Sequence, residues 1–239
     1  MILITRHKEQ SKNLESLLNT QEHKTFVESL YKIQFNKNKV TYNSDNYYIF
    51  PSINSVYSLI DSRQIYKFRT ANILTIGKKV EQALRNAGCN KILFVASDST
   101  KLLTRIKNKK LINRSFIYFC SNVVNEDFLS SVDKYKIKLK KVIIYKTIPR
   151  QKLTKKLITN IKLKNISGAT FFSKLAAKTF LSLIAESKCS RFVKETHIYC
   201  ISDRVASVFK LKKFNHIYIA SKPSQNSLIK LINKNQYFK

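Results

Sequence analysis

The chain has 239 residues, 44% of them hydrophobic, and a formal net charge of +31 at pH 7. That apolar share is enough to build packed cores and excludes wholesale disorder. No apolar run approaches the roughly 20 residues that span a bilayer. The opening MILITRHKEQ lacks the basic-then-apolar order of a secretory signal, so a soluble cytoplasmic protein is expected, with no membrane partner.

The opening residues Met1 to Thr5 read as a short strand, and Gln10 to Leu18 as a helix with Leu14, Leu17 and Leu18 on one face. Phe26 to Phe35 reads as an extended segment, followed by the polar stretch Asn36 to Asp45. A run of strand–helix units follows. Tyr47 to Phe50 is a strand, with Ser52 opening a helix. Ile73 to Ile76 leads to a helix from Lys78 to Ala87, ended by Gly88. Ile92 to Val95 precedes a helix capped by Ser99, and Ser115 to Cys120 precedes one from Glu126 to Val132. Leu139 to Pro149 is a strand; Thr154 to Leu163 is a basic helix; Gly168 turns into the strand Ala169 to Phe172. Helix, strand, helix, strand and helix then run to Ile232.

Part of this pattern occurs twice. IFPSINSVYSLI (Ile49–Ile60) is echoed by FFSKLAAKTFLSLI (Phe171–Ile184), and TIGKKVEQAL (Thr75–Leu84) by CISDRVASVF (Cys200–Phe209). KILFVASDSTKLLTRI (Lys91–Ile106) is echoed by HIYIASKPSQNSLIKLI (His216–Ile232). Strands alternating with helices predict an α/β fold with parallel sheets, and the duplication predicts two doubly wound domains of similar topology. Two extended segments, near 26–36 and 142–149, fall outside the repeat. Paired, they make a two-stranded antiparallel linker. The first domain is then discontinuous, residues 1–35 and 150–239, with residues 36–149 inserted. Two such domains facing each other offer a cleft for a ligand.

Ligands of open parallel sheets bind at the C-terminal ends of the strands, beside helix N-termini. Ser, Thr or Asn recurs at nearly every such turn, and free N–H groups there suit carboxylates or phosphates. Phosphate-loop signatures are absent: there is no GxGxxG, no GxxxxGK[ST], and only three glycines. No GxSxG elbow and no paired carboxylates emerge. Cys89, Cys120, Cys189 and Cys200 form no CxxC pair, and the four histidines form no HxxxH or HExxH arrangement, so no metal site is expected. Buried thiols in a reducing compartment fit the cysteines. The lysines are spread along the whole chain, which reads as compositional drift and solvated faces. A basic nucleic-acid-binding module is the alternative reading of the charge, but no recognition helix, aromatic pair or basic tail supports it.

Taken in order, these segments resemble the uroporphyrinogen-III synthase family. ILITRHKEQSKNLESLL resembles its opening strand, Thr-Arg-Pro turn and helix, with His7 in place of proline. IFPSINSV resembles its "fTSxNAV" turn through Ser52, Asn54 and Val56, with Pro51 in place of threonine. TIGKKVEQALRNAG resembles "vGxxTaxaLxxxG" through Gly77, Ala83, Leu84 and Gly88, and VIIYKTIP resembles the "vYxtxp" linker through Tyr145, Thr147 and Pro149. FFSKLAAKTF resembles "fTSpsav", and IASKPSQNSLIKLI the C-terminal end.

The resemblance implies the two-domain fold with its antiparallel linker. It implies cyclisation of the polycarboxylate hydroxymethylbilane to uroporphyrinogen III by a monomer, with inversion of ring D and without cofactor or metal. Loss of the ring A hydroxyl as water gives an azafulvenium cation, and attack by ring D gives a spiro intermediate that opens and recloses. By resemblance Tyr145 is the catalytic residue that helps the hydroxyl leave. Thr5, Arg6, Ser52, Asn54, Gly77, Lys78, Ser173, Lys174 and Ser202 surround the substrate carboxylates. This chain departs from the pattern at Val80 and Val205, where the family has threonine, at Ser202 in place of glycine, and in FCSN (Phe119–Asn122), where a glycine is lost. A catalytically weakened tetrapyrrole-binding homologue is the further alternative these departures raise.

Overall fold

The computed structural model describes residues 1–124, 126–212 and 214–236. The chain opens with β1 (Ile2–Ile4), α1 (Lys8–Asn19), β2 (Thr25–Val27) and β3 (Tyr31–Phe35). Next come β4 (Tyr47–Phe50), α2 (Ile53–Asp61), β5 (Asn72–Ile76), α3 (Lys78–Asn86), β6 (Ile92–Ala96) and α4 (Ser99–Asn108). Then follow β7 (Phe116–Ser121), α5 (Glu126–Lys134), β8 (Leu139–Pro149) and α6 (Lys155–Lys162). The chain continues with β9 (Gly168–Phe171), α7 (Lys174–Glu186), β10 (His197–Cys200), α8 (Asp203–Lys210), β11 (Ile217–Ile219) and α9 (Gln225–Gln236).

Two compact units result: Met1–Lys32 with the chain from Ile148 onward, and Ile33–Thr147. The first holds the sheet β11-β10-β9-β1-β2, all parallel. The second holds β6-β5-β4-β7-β8, also parallel, with β3 added beside β8. Read in this direction the two strand orders coincide. The repeated blocks fall on equivalent strands, β9 with β4, β10 with β5 and β11 with β6, while β1 and β2 stand where β7 and β8 stand. The units share one topology but differ in where the chain enters it.

Alternation along the strands sorts side chains onto two faces. In the first unit Leu3, Ala169, Phe171 and Ile198 pack with α7 and α8, while Ile2, Ile4 and Tyr199 pack with Leu14 and Leu18 of α1 and Leu228 and Ile232 of α9. In the second, Tyr48, Phe50, Ile73 and Phe119 face α2 and α3, while Ile49, Leu74, Phe116 and Tyr118 face α4 and α5. Each fully buried side chain of this kind stabilises its unit by about 1.5–3 kcal/mol.

The extended segments divide differently from the sequence expectation. Phe26 and Val27 belong to β2, which pairs in parallel with β1, so the antiparallel pairing does not begin near residue 26. It runs from Leu30, whose carbonyl accepts the N–H of Arg150 at 2.9 Å, to Asn36, whose N–H donates to Ile144 at 2.8 Å. That descending register is antiparallel. The far end of the first unit's share is fastened by Glu28, which is 5% exposed. Its carboxylate accepts from Arg150 Nη1 at 3.3 Å, from the Thr154 N–H at 3.0 Å and from Thr154 Oγ1 at 2.7 Å.

Among the described residues, seven helices end on the same pair of hydrogen bonds. After α3, Gly88 (φ 84°) donates to Arg85 and Cys89 donates to Leu84, which closes the helix with a left-handed residue. The same geometry recurs with Glu22, Arg63, Lys110, Lys136, Lys164 and Lys188 in the left-handed position, at φ of 52–61°. A second sequence expectation fails at α4. Its N-cap is Asp98, whose carboxylate accepts the Lys101 N–H at 2.8 Å, and Ser99 is already helical.

Candidate functional site

Because β1, β2 and β9 to β11 run parallel in one sheet and β4 to β8 in the other, the C-terminal ends of these strands lie on one edge of each unit. On the first unit this rim carries Thr5 and Arg6 after β1, Ser173 and Lys174 after β9, and Ser202 after β10. Thr5 is fully buried and its hydroxyl donates to Thr170 O at 2.6 Å, so its proton is used inside the sheet. Arg6 has the opposite character. Its guanidinium lies 4.2 Å from the Phe172 ring centroid, and Nη1 reaches Gln225 Oε1 at 3.4 Å. Burial draws its pKa down, and Tyr31 opposes that shift. Burial likewise pushes the Tyr31 phenol up, against Arg6 and a His7 main-chain hydrogen bond. An arginine stays charged in such a setting. Among the described residues no carboxylate pairs with Arg6.

Ser173 caps α7, its oxygen accepting from Ala176 N–H at 3.2 Å, and Lys174 is exposed beside it. Ser202 stands at the N-cap of α8 and makes no capping bond. The side chain of Asp203, in that first turn, leans toward Lys210 at 3.7 Å.

On the second unit the rim carries Ser52 and Asn54 after β4, and Gly77 and Lys78 after β5. Ser52 accepts the Asn54 N–H at 3.3 Å. Gly77 opens α3 at φ 90° with no side chain to cap it, and Lys78 is exposed. Here a pocket of about 540 Å³ is lined by Gly77, Lys78, Ser97, Lys101 and Arg105. The N-terminus of α4 is filled by its own carboxylate. Asp98 accepts the Lys101 N–H, which holds its pKa below the usual range. A larger groove, about 730 Å³, lies off the first unit's rim between α7 and α8, with Lys174 among its lining residues.

The uncapped helices α3 and α8 open the equivalent repeated blocks, TIGKKV and CISDRV. First-turn amides left without a capping oxygen are ready donors for an anion. The positions of the family threonines, Val80 and Val205, are 6% and 4% exposed and pack into the cores under these helices. The amides of α3 and α8 therefore carry the anion-binding capacity at these two turns.

Tyr145 is 7% exposed and packs with Phe119 and Ile144 on the α2 and α3 face. A bulge sets this. The β7–β8 register pairs Cys120 with Ile143 and then Ser121 with Tyr145, so both Ile144 and Tyr145 turn inward. The sequence gives no sign of the residues that brace Arg6. Phe172 and Gln225 come from segments distant in the chain from Arg6, and Tyr31 lies in the extended stretch between. The four cysteines are free and buried; burial pushes Cys89 and Cys120 up to about 11 and Cys200 up to about 12. Among the described residues no group of three or more His, Cys, Asp and Glu could hold a metal ion, and no helix is long and apolar enough to cross a membrane.

Fold and rims define a class: a duplicated, doubly wound α/β protein with helix N-termini and exposed lysines along the C-terminal strand ends of each unit. The family model HEM4, uroporphyrinogen-III synthase HemD, matches residues 4–230. The uroporphyrinogen-III synthetase of Helicobacter pylori 26695 is similar in structure at a TM-score of 0.70, with 18% identity over 98% of this chain and 98% of that one. A mutant uroporphyrinogen III synthase of the extremely thermophilic bacterium Thermus thermophilus is similar at 0.60, with 9% identity over 100% of this chain and 99% of that one. No curated protein sequence matches. The chain belongs to the uroporphyrinogen-III synthase family. Its activity is that of a lyase of heme biosynthesis acting on a tetrapyrrole.

Proposed function

We propose that the chain cyclises hydroxymethylbilane to uroporphyrinogen III with inversion of ring D through a spiro intermediate, and that helix N-termini and the cations beside them hold the substrate carboxylates. The observation that carries this reading is the pair α3 and α8, equivalent helices that each leave their first turn without a capping side chain. Arg6 adds a charged donor, and Lys78 and Lys174 add exposed ammonium groups. Ser52, Asn54, Ser173 and Ser202 complete the polar set. Thr5 supports the rim from within the sheet.

Tyr145 is assigned as the donor to the departing hydroxyl. Its phenol O–H is the group that donates. As the C–O bond of ring A breaks, the hydroxyl takes the phenol proton and leaves as water, and the substrate becomes an azafulvenium cation. The substituted α-carbon of ring D attacks that cation, the spiro intermediate opens, and reclosure with loss of a proton gives the inverted ring. The rate then depends on the donor, while the isomer formed depends on how the flexible substrate is held. Val80 and Val205 lack the family hydroxyls but leave in place the amide donors, which are independent of side-chain identity.

Action as a monomer is part of this proposal. Free, buried thiols suit a reducing compartment such as the cytosol. The test is to mix the purified protein with freshly prepared hydroxymethylbilane and resolve the product isomers. The proposal expects uroporphyrinogen III; the type I isomer alone, at the spontaneous rate, overturns it.

A further inference from the structure

We infer that Asn122 is a positioning residue for Tyr145, an inference that rests on the assignment of Tyr145 above. Strand β7 ends at Ser121, whereas β8 continues to Pro149, so beyond Tyr145 the β7 main chain offers no further ladder partner. The Asn122 side chain takes over that task. Its Oδ1 accepts the main-chain N–H of Thr147 at 2.8 Å. Ser121 Oγ donates to the same oxygen at 2.9 Å and accepts the Val123 N–H at 3.2 Å. With the Ser121 proton directed at Asn122, Thr147 Oγ1, 3.0 Å from Ser121 Oγ, is the donor in that contact.

On the β7 edge of β8, opposite the edge paired with β3, the clamp sits just past an irregularity. A bulge adds a residue to one strand and leaves the ladder locally broken, which frees the strand to bend. Here the extra residue is Ile144, and the residue whose aim depends on the bulge is Tyr145. On one side of Tyr145 the strand is held at the Ile144 carbonyl by Asn36 N–H and Ser58 Oγ. On the other side it is held at Thr147 by Asn122. Asn122 is exposed and lies outside the core clusters, so its contribution is to the course of β8 rather than to burial.

Both contacts use Asn122 only as an acceptor, so aspartate preserves them and leucine, of similar size, does not. The experiment is steady-state kinetics on freshly prepared hydroxymethylbilane with Asn122→Leu, Asn122→Asp, Tyr145→Phe and the Asn122→Leu/Tyr145→Phe double variant. Asn122→Leu is expected to lower kcat about 5- to 10-fold, the scale of one lost hydrogen bond, with KM changed less than about twofold. Asn122→Asp keeps kcat within about twofold of the parent, and the double variant is no slower than Tyr145→Phe alone. Parental kcat in Asn122→Leu, equal slowing in Asn122→Asp, or multiplied losses in the double variant overturns the inference while Tyr145→Phe remains slow. Full turnover in Tyr145→Phe removes the tyrosine assignment itself, and this inference with it.

Discussion

The guanidinium of Arg6 stacks over the ring of Phe172, 4.2 Å from its centroid. Gln225 Oε1 accepts from one edge and Tyr31 stands near, so the group is oriented and partly desolvated before any ligand arrives. Such a cation binds a carboxylate in ground and transition state alike. Arg6→Met, which keeps the apolar stem, is therefore expected to raise KM about 10- to 100-fold with kcat changed much less. Steady-state kinetics decide this, and an unchanged KM removes Arg6 from the substrate site.

The left-handed lysines that end helices carry a strain that glycine lacks. A non-glycine residue in this region costs about 1–2 kcal/mol, partly offset because glycine is more costly to order on folding. Lys110→Gly, Lys136→Gly and Lys164→Gly are each expected to stabilise the protein by about 0.5–1 kcal/mol. Urea unfolding curves measure this. A loss of about 1 kcal/mol, as for glycine within a helix, is the contrary result.

Two glycines are held in place for different reasons. A Cβ at Gly168 would lie 2.8 Å from Ile2 Cδ1 and 2.9 Å from Tyr199 Cε2, so Gly168→Ala is an overpacking change costing about 1–3 kcal/mol. Ile2→Val, which removes that Cδ1, should return part of the loss. At Gly77 a Cβ meets nothing within 4 Å, but φ is 90°, so Gly77→Ala is strained by its backbone alone and no neighbouring truncation relieves it. Double-variant unfolding free energies separate the two cases.

Glu28 holds Arg150 and the start of α6 with three hydrogen bonds from a buried position. Removing one partner of a buried pair leaves the other uncompensated, at about 3–5 kcal/mol. Arg150 is 32% exposed, which lowers the figure here. Glu28→Gln is expected to cost about 2 kcal/mol in urea unfolding, with part regained in Glu28→Gln/Arg150→Met. An unfolding midpoint equal to the parent's would show that the pair contributes nothing.

The parallel-sheet architecture is legible because its strands are short apolar runs and its helices carry apolar residues at helical spacing, and the repeat places β4, β5 and β6 on the same topology as β9, β10 and β11. Helix ends are less legible, because lysine and arginine occupy positions where glycine would have signalled a stop. Asp98 rather than Ser99 caps α4 because its carboxylate reaches the Lys101 amide. The Phe26–Phe35 stretch divides at Glu28, whose partners Arg150 and Thr154 are more than a hundred residues away. The inward turn of Tyr145 follows from a register shift between two strands, which one strand's sequence does not encode. The bracing of Arg6 by Gln225 spans 219 positions and has no local signature.

In the proposed mechanism the way the substrate is held, rather than a reactive side chain, decides which isomer forms. The most direct measurement is the isomer composition released from hydroxymethylbilane by Tyr145→Phe. Loss of one donor should slow ring closure by about 10- to 1000-fold while the enzyme-formed product remains uroporphyrinogen III. Enzyme-accelerated formation of the type I isomer by this variant would contradict the account, because selectivity would then reside in the tyrosine.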